Sequence, residues 1–471
     1  MTMITKNQRY TVTIENTTIE GFGVCRIDGR AVFVQGALEG EQWDILILKV
    51  SAAAVWAKGL QCLSAARDRL DNDCPNPCGG CALRHAEYSA ELNIKQQHVK
   101  DCLNRIGNLG VEAVPIHPSP SVRRYRNKAI FAVGLSNGRA VFGFYRPRSH
   151  DIIPITDCLL QSARCIRAAK AVTDYMNREH ILPYDEATGK GTLRHIFYRE
   201  SRCGDAVLCL ISARGFGNRT EELVNCLMET CNELTGIVLN INKTTGNTAL
   251  SGDFYTLWGE PTVRETFCGY TFRFSPQAFL QVNPSQAEMI YRKAVTFASE
   301  TEKTIDSKTN CASAEAVETC SKNKLALELY CGAGTVSLCL ATAFNRVIAA
   351  EIVPEAVENA RLNAEYNGVD TIEFHCADAG EIADQLSAEG IRPDVVLVDP
   401  PRKGLTGQVI YDISRMQPER VVYISCNPAT LARDLRVFTD LGYELKYAEA
   451  FDMFPRTAHV ETVVLMSRKD T

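Results

Sequence analysis

No apolar run in this chain of 471 residues approaches the ~18 needed to cross a bilayer. The first residues also lack the apolar core of a secretory signal, since Lys6, Asn7, Gln8 and Arg9 stand where it would begin. Both absences point to a soluble, cytoplasmic protein with no membrane partner. Positive charge is not in excess either: 51 Lys and Arg against 56 Asp and Glu leave a net charge of −5. A site for a polyanion therefore has to be a local patch. The 19 cysteines are many, but they are odd in number and nothing directs the chain to an oxidising compartment, so a disulfide framework is excluded. Metal binding, catalysis and plain burial remain for them. A hydrophobic content of 45% suffices for proper cores, and the length suits about three domains.

Residues 10 to 63 alternate apolar and polar in short runs punctuated by Gly21, Gly23, Gly29, Gly36 and Gly40, which predicts a small β-barrel. The order of these glycines and the closing Gly40-Glu41 resemble a TRAM domain, an OB-like module of RNA-modifying enzymes, here assigned to residues 1–65. A turn-rich knot follows, Asp73-Cys-Pro-Asn-Pro-Cys-Gly-Gly-Cys81, and then a helix over about 87–105. Strands at 128–133, 140–145, 195–200, 206–212 and 236–242, with helices around 164–178 and 220–234, predict a central α+β domain within 66–274. Residues 299–323 are rich in Ser, Thr, Glu and Lys and read as a solvated insertion. From Leu325 the rhythm is β/α, with strands at 325–330, 347–352, 372–376, 394–398 and 421–426 and a closing hairpin at 443–450 and 462–467. That is the outline of a doubly wound sheet with a final antiparallel pair, as in class I methyltransferases. The expected architecture is thus an α/β, class I Rossmann-like methyltransferase domain at 275–471 behind an N-terminal OB-like β-barrel and a central α+β domain.

In Glu328-Leu-Tyr-Cys-Gly-Ala-Gly-Thr335 a buried strand ends in a glycine turn that lets the backbone approach a ligand. Glu351 ends the next strand, where a carboxylate can take two ribose hydroxyls, and Asp378 after the third can receive an adenine amino group. A nicotinamide dinucleotide is the alternative, but the third glycine of its fingerprint is missing, Ser337 standing there instead. With no pyrophosphate to hold, S-adenosylmethionine fits better.

Strand four runs into Asp399-Pro-Pro-Arg402 and strand five into Ser425-Cys-Asn-Pro428, so Asp399 and Cys426 should face one crevice. A thiol beside the start of a proline-initiated helix is expected to have a lowered pKa, although a cysteine ending a buried strand is equally the pattern of a small core residue. Thiols are needed when the carbon to be methylated is too poor a nucleophile, as C5 of uracil is. Addition of a thiolate to C6 makes C5 an enolate carbon, a base then removes the C5 proton, and the thiolate is expelled. Asp399 suits the imide N3–H, and Glu461, in Arg456-Thr-Ala-His-Val-Glu461, suits the base.

Taken together, Phe279-x-Gln281-x-Asn283, the turn 331–334, Asp399-Pro-Pro-Arg402, Ser425-Cys-Asn-Pro428 and His459-Val-Glu461 resemble the RNA (uracil-5-)-methyltransferase family along essentially the whole chain. The resemblance implies Cys426 as nucleophile and Glu461 as proton acceptor. It implies Gln281, Tyr330, Glu351 and Asp399 at cofactor- or target-binding positions, with Asp378 as the adenine contact.

Cys74, Cys78 and Cys81 lie among Pro and Gly, which shape ligand loops, and thiolates select zinc or an iron–sulfur cluster. The resemblance implies a [4Fe-4S] cluster with Cys158 as fourth ligand. The first gap is shorter than the family's usual one, which keeps zinc open. The same spacing marks radical S-adenosylmethionine enzymes, whose knot lies early in a β/α barrel; here a complete methyltransferase pattern follows instead. Finally, Arg123, Arg124, Arg126, Lys128, Arg139, Arg146 and Arg148 occur with no acidic residue among them and with Tyr125, Phe142, Phe144 and Tyr145 interleaved, a pattern for phosphate contact and base stacking. The expected activity is C5 methylation of a uridine in structured RNA, most simply 23S rRNA, by analogy with the ribosomal branch of the family; tRNA is the runner-up, and a non-catalytic RNA-binding protein is the remaining class. No obligate protein partner is evident.

Overall fold

The computed structural model describes residues 4–74, 76–146, 149–244, 249–300, 305 and 324–469. Most of the expected insertion 299–323, and Arg148 of the basic run, lie outside the described residues. Three sheets and one hairpin organise the rest.

Residues Arg9–Ser64 form a six-stranded curled sheet around Val12, Ile14, Cys25, Val32, Val34, Ile45 and Ile47. Its closing Glu41 is fully buried. The carboxylate accepts hydrogen bonds from the Leu38 N–H (2.8 Å), Trp43 Nε1 (2.8 Å) and Arg69 Nη2 (2.6 Å). Burial alone would raise its pKa, but these donors hold it at about 2.

A seven-stranded mixed sheet, Lys128–Ser136 to Asp253–Gly259, is backed by the helices Ala163–Arg178 and Thr220–Thr230. A hairpin, Val263–Phe267 with Tyr270–Phe274, leads through Asn283 into the helix Pro284–Ser299. The strands at 253–259 and in this hairpin were not among those singled out in the sequence.

The third sheet carries the C-terminal strands in the order Ile372–Cys376, Arg346–Glu351, Leu325–Leu329, Val395–Val398, Arg420–Ser425, Glu461–Arg468 and Tyr443–Phe451. The first five run parallel, and Glu461–Arg468 enters antiparallel beside Arg420–Ser425. A two-residue strand, Ile116–His117, adds to the outer edge from far upstream. Its shortness hid it from pattern reading. The four parallel strands from Arg346–Glu351 to Arg420–Ser425 are buried on both faces, as their Val, Ile, Leu and Ala runs require, while the edge strand Ile372–Cys376 is partly exposed.

The helix Tyr88–Arg105 lies against this sheet and carries a buried polar group into it. Lys95 Nζ donates to Glu91 (2.8 Å), Asp452 (2.6 Å) and the Phe454 carbonyl (3.1 Å), with all three side chains fully buried. The Tyr88 hydroxyl donates to the second Asp452 oxygen at 2.8 Å. Arg456 donates from its backbone N–H (2.6 Å) and its guanidinium (3.3 Å) to Glu91. No helix among the described residues is long and apolar enough to cross a membrane.

Removing Lys95 would leave two buried carboxylates facing one another. Lys95→Met is therefore expected to lower unfolding stability by roughly 3–5 kcal/mol in urea titrations. Lys95→Arg, which keeps a cation, should lose less.

Candidate active site

Asp399 follows the strand Val395–Val398, Cys426 follows Arg420–Ser425, and Glu461 begins Glu461–Arg468. Those strands are neighbours, with Val398 paired to Tyr423 and Ser425 to Thr462, so the three side chains meet at one edge of the sheet. Their mutual electrostatics reflects this closeness. Burial pushes the Cys426 thiol up to about 11, with Glu461 and Asp399 adding to the rise and Arg402 opposing it. Burial likewise lifts Asp399 to about 7. Glu461, only 3% exposed, is held well above the usual carboxylate range by burial and by Asp399, against the pull of Arg402.

The expected lowering of the Cys426 pKa is thus reversed in the free protein. The helix Pro428–Asp440 is capped by Asn427, whose side chain takes the Ala429 N–H at 3.1 Å, so the thiol does not occupy the capping position. Burial, with two carboxyl groups adding to it, outweighs what remains of the helix dipole.

Arg402 is the cation that faces this cluster, and in the sequence it stood only as the last residue of the Asp399-Pro-Pro-Arg402 motif. Its backbone carbonyl accepts from Asn427 Nδ2 and Thr430 Oγ1, each at 3.2 Å, tying the Asp-Pro-Pro-Arg loop to the helix behind Cys426. Its Nη2 lies 3.3 Å from His459 Nε2. Burial, with Arg402, Arg126 and Lys95 nearby, lowers the His459 pKa, so the ring is neutral and accepts from the guanidinium. His459 was legible as part of a motif but without a role.

A second group of side chains lines the ends of the first three parallel strands. Tyr330, Gly332 and Gly334 all have positive φ, at 70, 54 and 79°. A Cβ at Gly332 would meet nothing within 4 Å, whereas one at Gly334 would come to 3.0 Å of the Ala360 Cβ. The first glycine therefore leaves open space before the backbone and the second permits close helix packing. The Glu351 carboxylate accepts from the Gly332 N–H (3.2 Å) and the Val353 N–H (3.0 Å), and Ile352 and Val353 beside it are 59% and 45% exposed. Burial, with Asp378, Asp434 and Glu351 adding to it, raises Tyr330 to about 12. Asp378 is exposed and caps the helix Ala379–Ala388 through the Gly380 N–H at 2.8 Å. A fixed acceptor carboxylate, an open glycine and exposed aliphatic side chains suit the ribose and base of a nucleoside. Buried Glu328 joins the two groups: Ser337 Oγ donates to it, and burial with Asp399 and Glu351 raises it to about 8.

Gln281 is placed less firmly. Its backbone carbonyl accepts from Asn127 Nδ2 at 3.1 Å, while its side chain makes no hydrogen bond among the described residues. Phe279, two residues earlier, is 65% exposed.

The cysteine knot gathers at a separate corner. Cys81 and Cys158 are raised chiefly by burial, and each senses Cys78. Asn76 Nδ2 lies 3.7 Å from the Cys74 sulfur and donates to the Asp157 carbonyl at 2.6 Å, linking the knot to the Cys158 segment. Among the described residues no group of three or more Cys, His, Asp or Glu is arranged to hold a metal ion.

The first two arginines of the basic run are committed to internal pairs. Arg123 and Arg84 both pair with Asp73, and Arg124 makes a two-pronged pair with Asp157 at 2.7 Å. Tyr125 and Phe142 are buried, and Tyr145 is 40% exposed, so the interleaved rings mostly serve the core rather than stacking on bases.

Residues 277–469 match the tRNA (Uracil-5-)-methyltransferase family and residues 5–55 the TRAM domain. An uncharacterized RNA methyltransferase of Clostridium tetani is 36% identical over 98% of this chain and 97% of its own length. One from Halalkalibacterium halodurans is 37% identical over 99% of this chain and 98% of its length. The fold is also that of Pyrococcus abyssi tRNA (uracil-54, C5)-methyltransferase, solved with S-adenosyl-L-homocysteine, with a TM-score of 0.75 and 24% identity over 97% of this chain and 100% of that one. The chain belongs to the RNA (uracil-5-)-methyltransferase family and carries a TRAM domain.

Proposed function

We propose that the protein methylates C5 of a uridine in 23S rRNA, with Cys426 as the nucleophile that adds to C6. The observation that carries this reading is the meeting of Asp399, Cys426 and Glu461 at the ends of three neighbouring strands, with Arg402 as their cation. tRNA is the second reading, favoured by the name of the matching family and by the substrate in the Pyrococcus abyssi protein's name.

S-adenosylmethionine, when bound, supplies the methyl group. Glu351, Tyr330, Asp378 and the open face of Gly332 would hold it, and Gln281 would reach the cofactor or the target base. The thiol must lose its proton to add to C6, and the negative charge that develops on sulfur and on the uracil O4 is offset by Arg402. Asp399 accepts the N3–H of the uracil, which requires it to be ionised. Once C5 carries the methyl group, Glu461 takes the C5 proton, the C6–S bond breaks and the thiolate leaves. The uridine reaches this buried cluster only after leaving its stack. The layout we assign is TRAM at 1–65, a central domain at 66–274 and the catalytic domain at 275–471.

At the knot, the donor set of four thiols in Pro- and Gly-rich loops fits an iron–sulfur cluster in kind, and we assign Cys74, Cys78, Cys81 and Cys158 as its ligands, with a structural role. Zinc is the competing occupant.

In cells with and without the gene, mapping 5-methyluridine should reveal a site in 23S rRNA that depends on it. RNA carrying 5-fluorouridine there should become covalently attached to the protein, and Cys426→Ala should abolish both attachment and methylation with RNA affinity changed less than about twofold. Glu461→Gln should accumulate an adduct with ordinary uridine RNA. Methylation that survives in Cys426→Ala but vanishes in Cys78→Ala would favour the radical chemistry instead, and a gene without effect on 5-methyluridine would favour a binding protein.

Because Asp399 titrates near 7 in the free protein, kcat/KM should rise as pH increases through 7. Asp399→Asn should lose that limb and about 100-fold or more in rate.

Anaerobically purified protein should contain iron and acid-labile sulfide, and Cys158→Ser should lose both. Stoichiometric zinc without sulfide would replace the cluster by a zinc site.

A further inference from the structure

A cavity of about 560 Å³ opens where the central sheet meets the start of the helix Pro284–Ser299. Four arginines line it, Arg124, Arg126, Arg164 and Arg202, against one carboxylate, Glu200. Two of the four are neutralised: Arg124 by Asp157, and Arg202 by Glu265 (2.8 Å) and Glu288 (2.9 Å). Arg126 and Arg164 have no carboxylate partner among the described residues, and Arg126 Nε is buried with no hydrogen-bond acceptor.

Arg164 stands in the first turn of the helix Ala163–Arg178, which has no acidic residue there. A cation at that end opposes the helix's own dipole, so local stability does not account for it. The start of Pro284–Ser299, again without an acidic first turn, forms another part of the wall. Two unpaired guanidiniums against one carboxylate leave an excess of about one positive charge, which the two helix N-termini reinforce, and so complement a phosphodiester.

The cavity also borders the reaction centre. Arg126 is close enough to His459 to lower its pKa, and Asn127, in the cavity wall, holds the Val282 carbonyl through its N–H (2.9 Å) and the Gln281 carbonyl through its side chain (3.1 Å). We propose that this cavity binds a phosphodiester of the RNA adjoining the target uridine, with Arg126 and Arg164 as its cations. The inference rests on the assignment of RNA as substrate and narrows the contact surface from the whole basic run to one site. It also brings in Arg164, which lies outside that run.

Binding of transcribed 23S rRNA and tRNA should be measured across a series of KCl concentrations for the parent, Arg164→Ala and Arg178→Ala, the last at the exposed far end of the same helix. Arg164→Ala is expected to weaken binding of the substrate RNA about 3- to 10-fold and to reduce the slope of log K against log salt by about 0.7–1. Arg178→Ala should match the parent. A neutral methylphosphonate linkage beside the target uridine should weaken the parent equally and cost Arg164→Ala nothing further. Unchanged affinity and slope in a folded Arg164→Ala would overturn the proposal. So would an inorganic-phosphate-induced rise in melting temperature that Arg164→Ala abolishes without affecting RNA binding, which would mark a free-phosphate site. Attachment of 5-fluorouridine RNA to Cys426, followed in the same samples at saturating RNA, reports on the methylation chemistry independently.

Discussion

The ion cluster of Lys95 with Glu91 and Asp452 fixes the loop on which the catalytic edge depends. Withdrawing three charged groups from water costs several kcal/mol for each, and the arrangement holds because every charge meets opposite charge and further hydrogen bonds. The chain just before Glu461 is consequently gripped from many directions. The Met453 carbonyl accepts from Asn283 Nδ2 (3.2 Å), the Phe454 carbonyl from Lys95 (3.1 Å), the Pro455 carbonyl from the Tyr125 hydroxyl (3.1 Å) and the Arg456 carbonyl from the Leu83 N–H (3.1 Å). Segments from the cysteine knot, the long helix, the central domain and the start of Pro284–Ser299 thus converge on a stretch that carries no catalytic group itself. The central region thereby helps to set where Glu461 stands.

At that edge, like charges are crowded. Burial raises the proton affinity of Asp399, Glu461 and Cys426; Asp399 adds to the rise at the other two and Glu461 adds to it at the thiol, while Arg402 draws the other way on the thiol and on Glu461. The free protein therefore keeps its sulfur as a thiol, the less oxidisable form. The neutral ring of His459 fits the same logic, since a protonated imidazole beside Arg402 would set two cations against each other.

The basic run shows why composition alone misplaces a nucleic-acid surface. Arg123 and Arg124 are spent on Asp73 and Asp157, carboxylates that lie outside the run in sequence and reach it through the fold. Arg164, from the helix Ala163–Arg178, faces the same cavity as Arg126 with no carboxylate partner among the described residues. Free cations, not counted cations, attract phosphate.

Sequence alone determined much of this protein. Helices and strands with strong apolar periodicity were placed within a few residues of where they lie, because the 3.6- and 2-residue repeats of a buried face are written into the residues themselves. The glycine turn and the residues at strand ends were legible for a similar reason: in a doubly wound sheet the position at a strand's carboxyl end implies the crevice. Hidden were the edge strand Ile116–His117, too short for any period, and the Lys95 cluster, since nothing in the helix sequence marks Glu91 and Lys95 as buried. The direction of the Cys426 pKa was hidden as well, since the helix that starts at Pro428 argues one way and burial with the thiol's neighbours in space argues the other. Local geometry and hydrophobic pattern are properties of contiguous residues, whereas charge pairing and burial depend on which distant side chains folding brings together, and only the tertiary structure decided those.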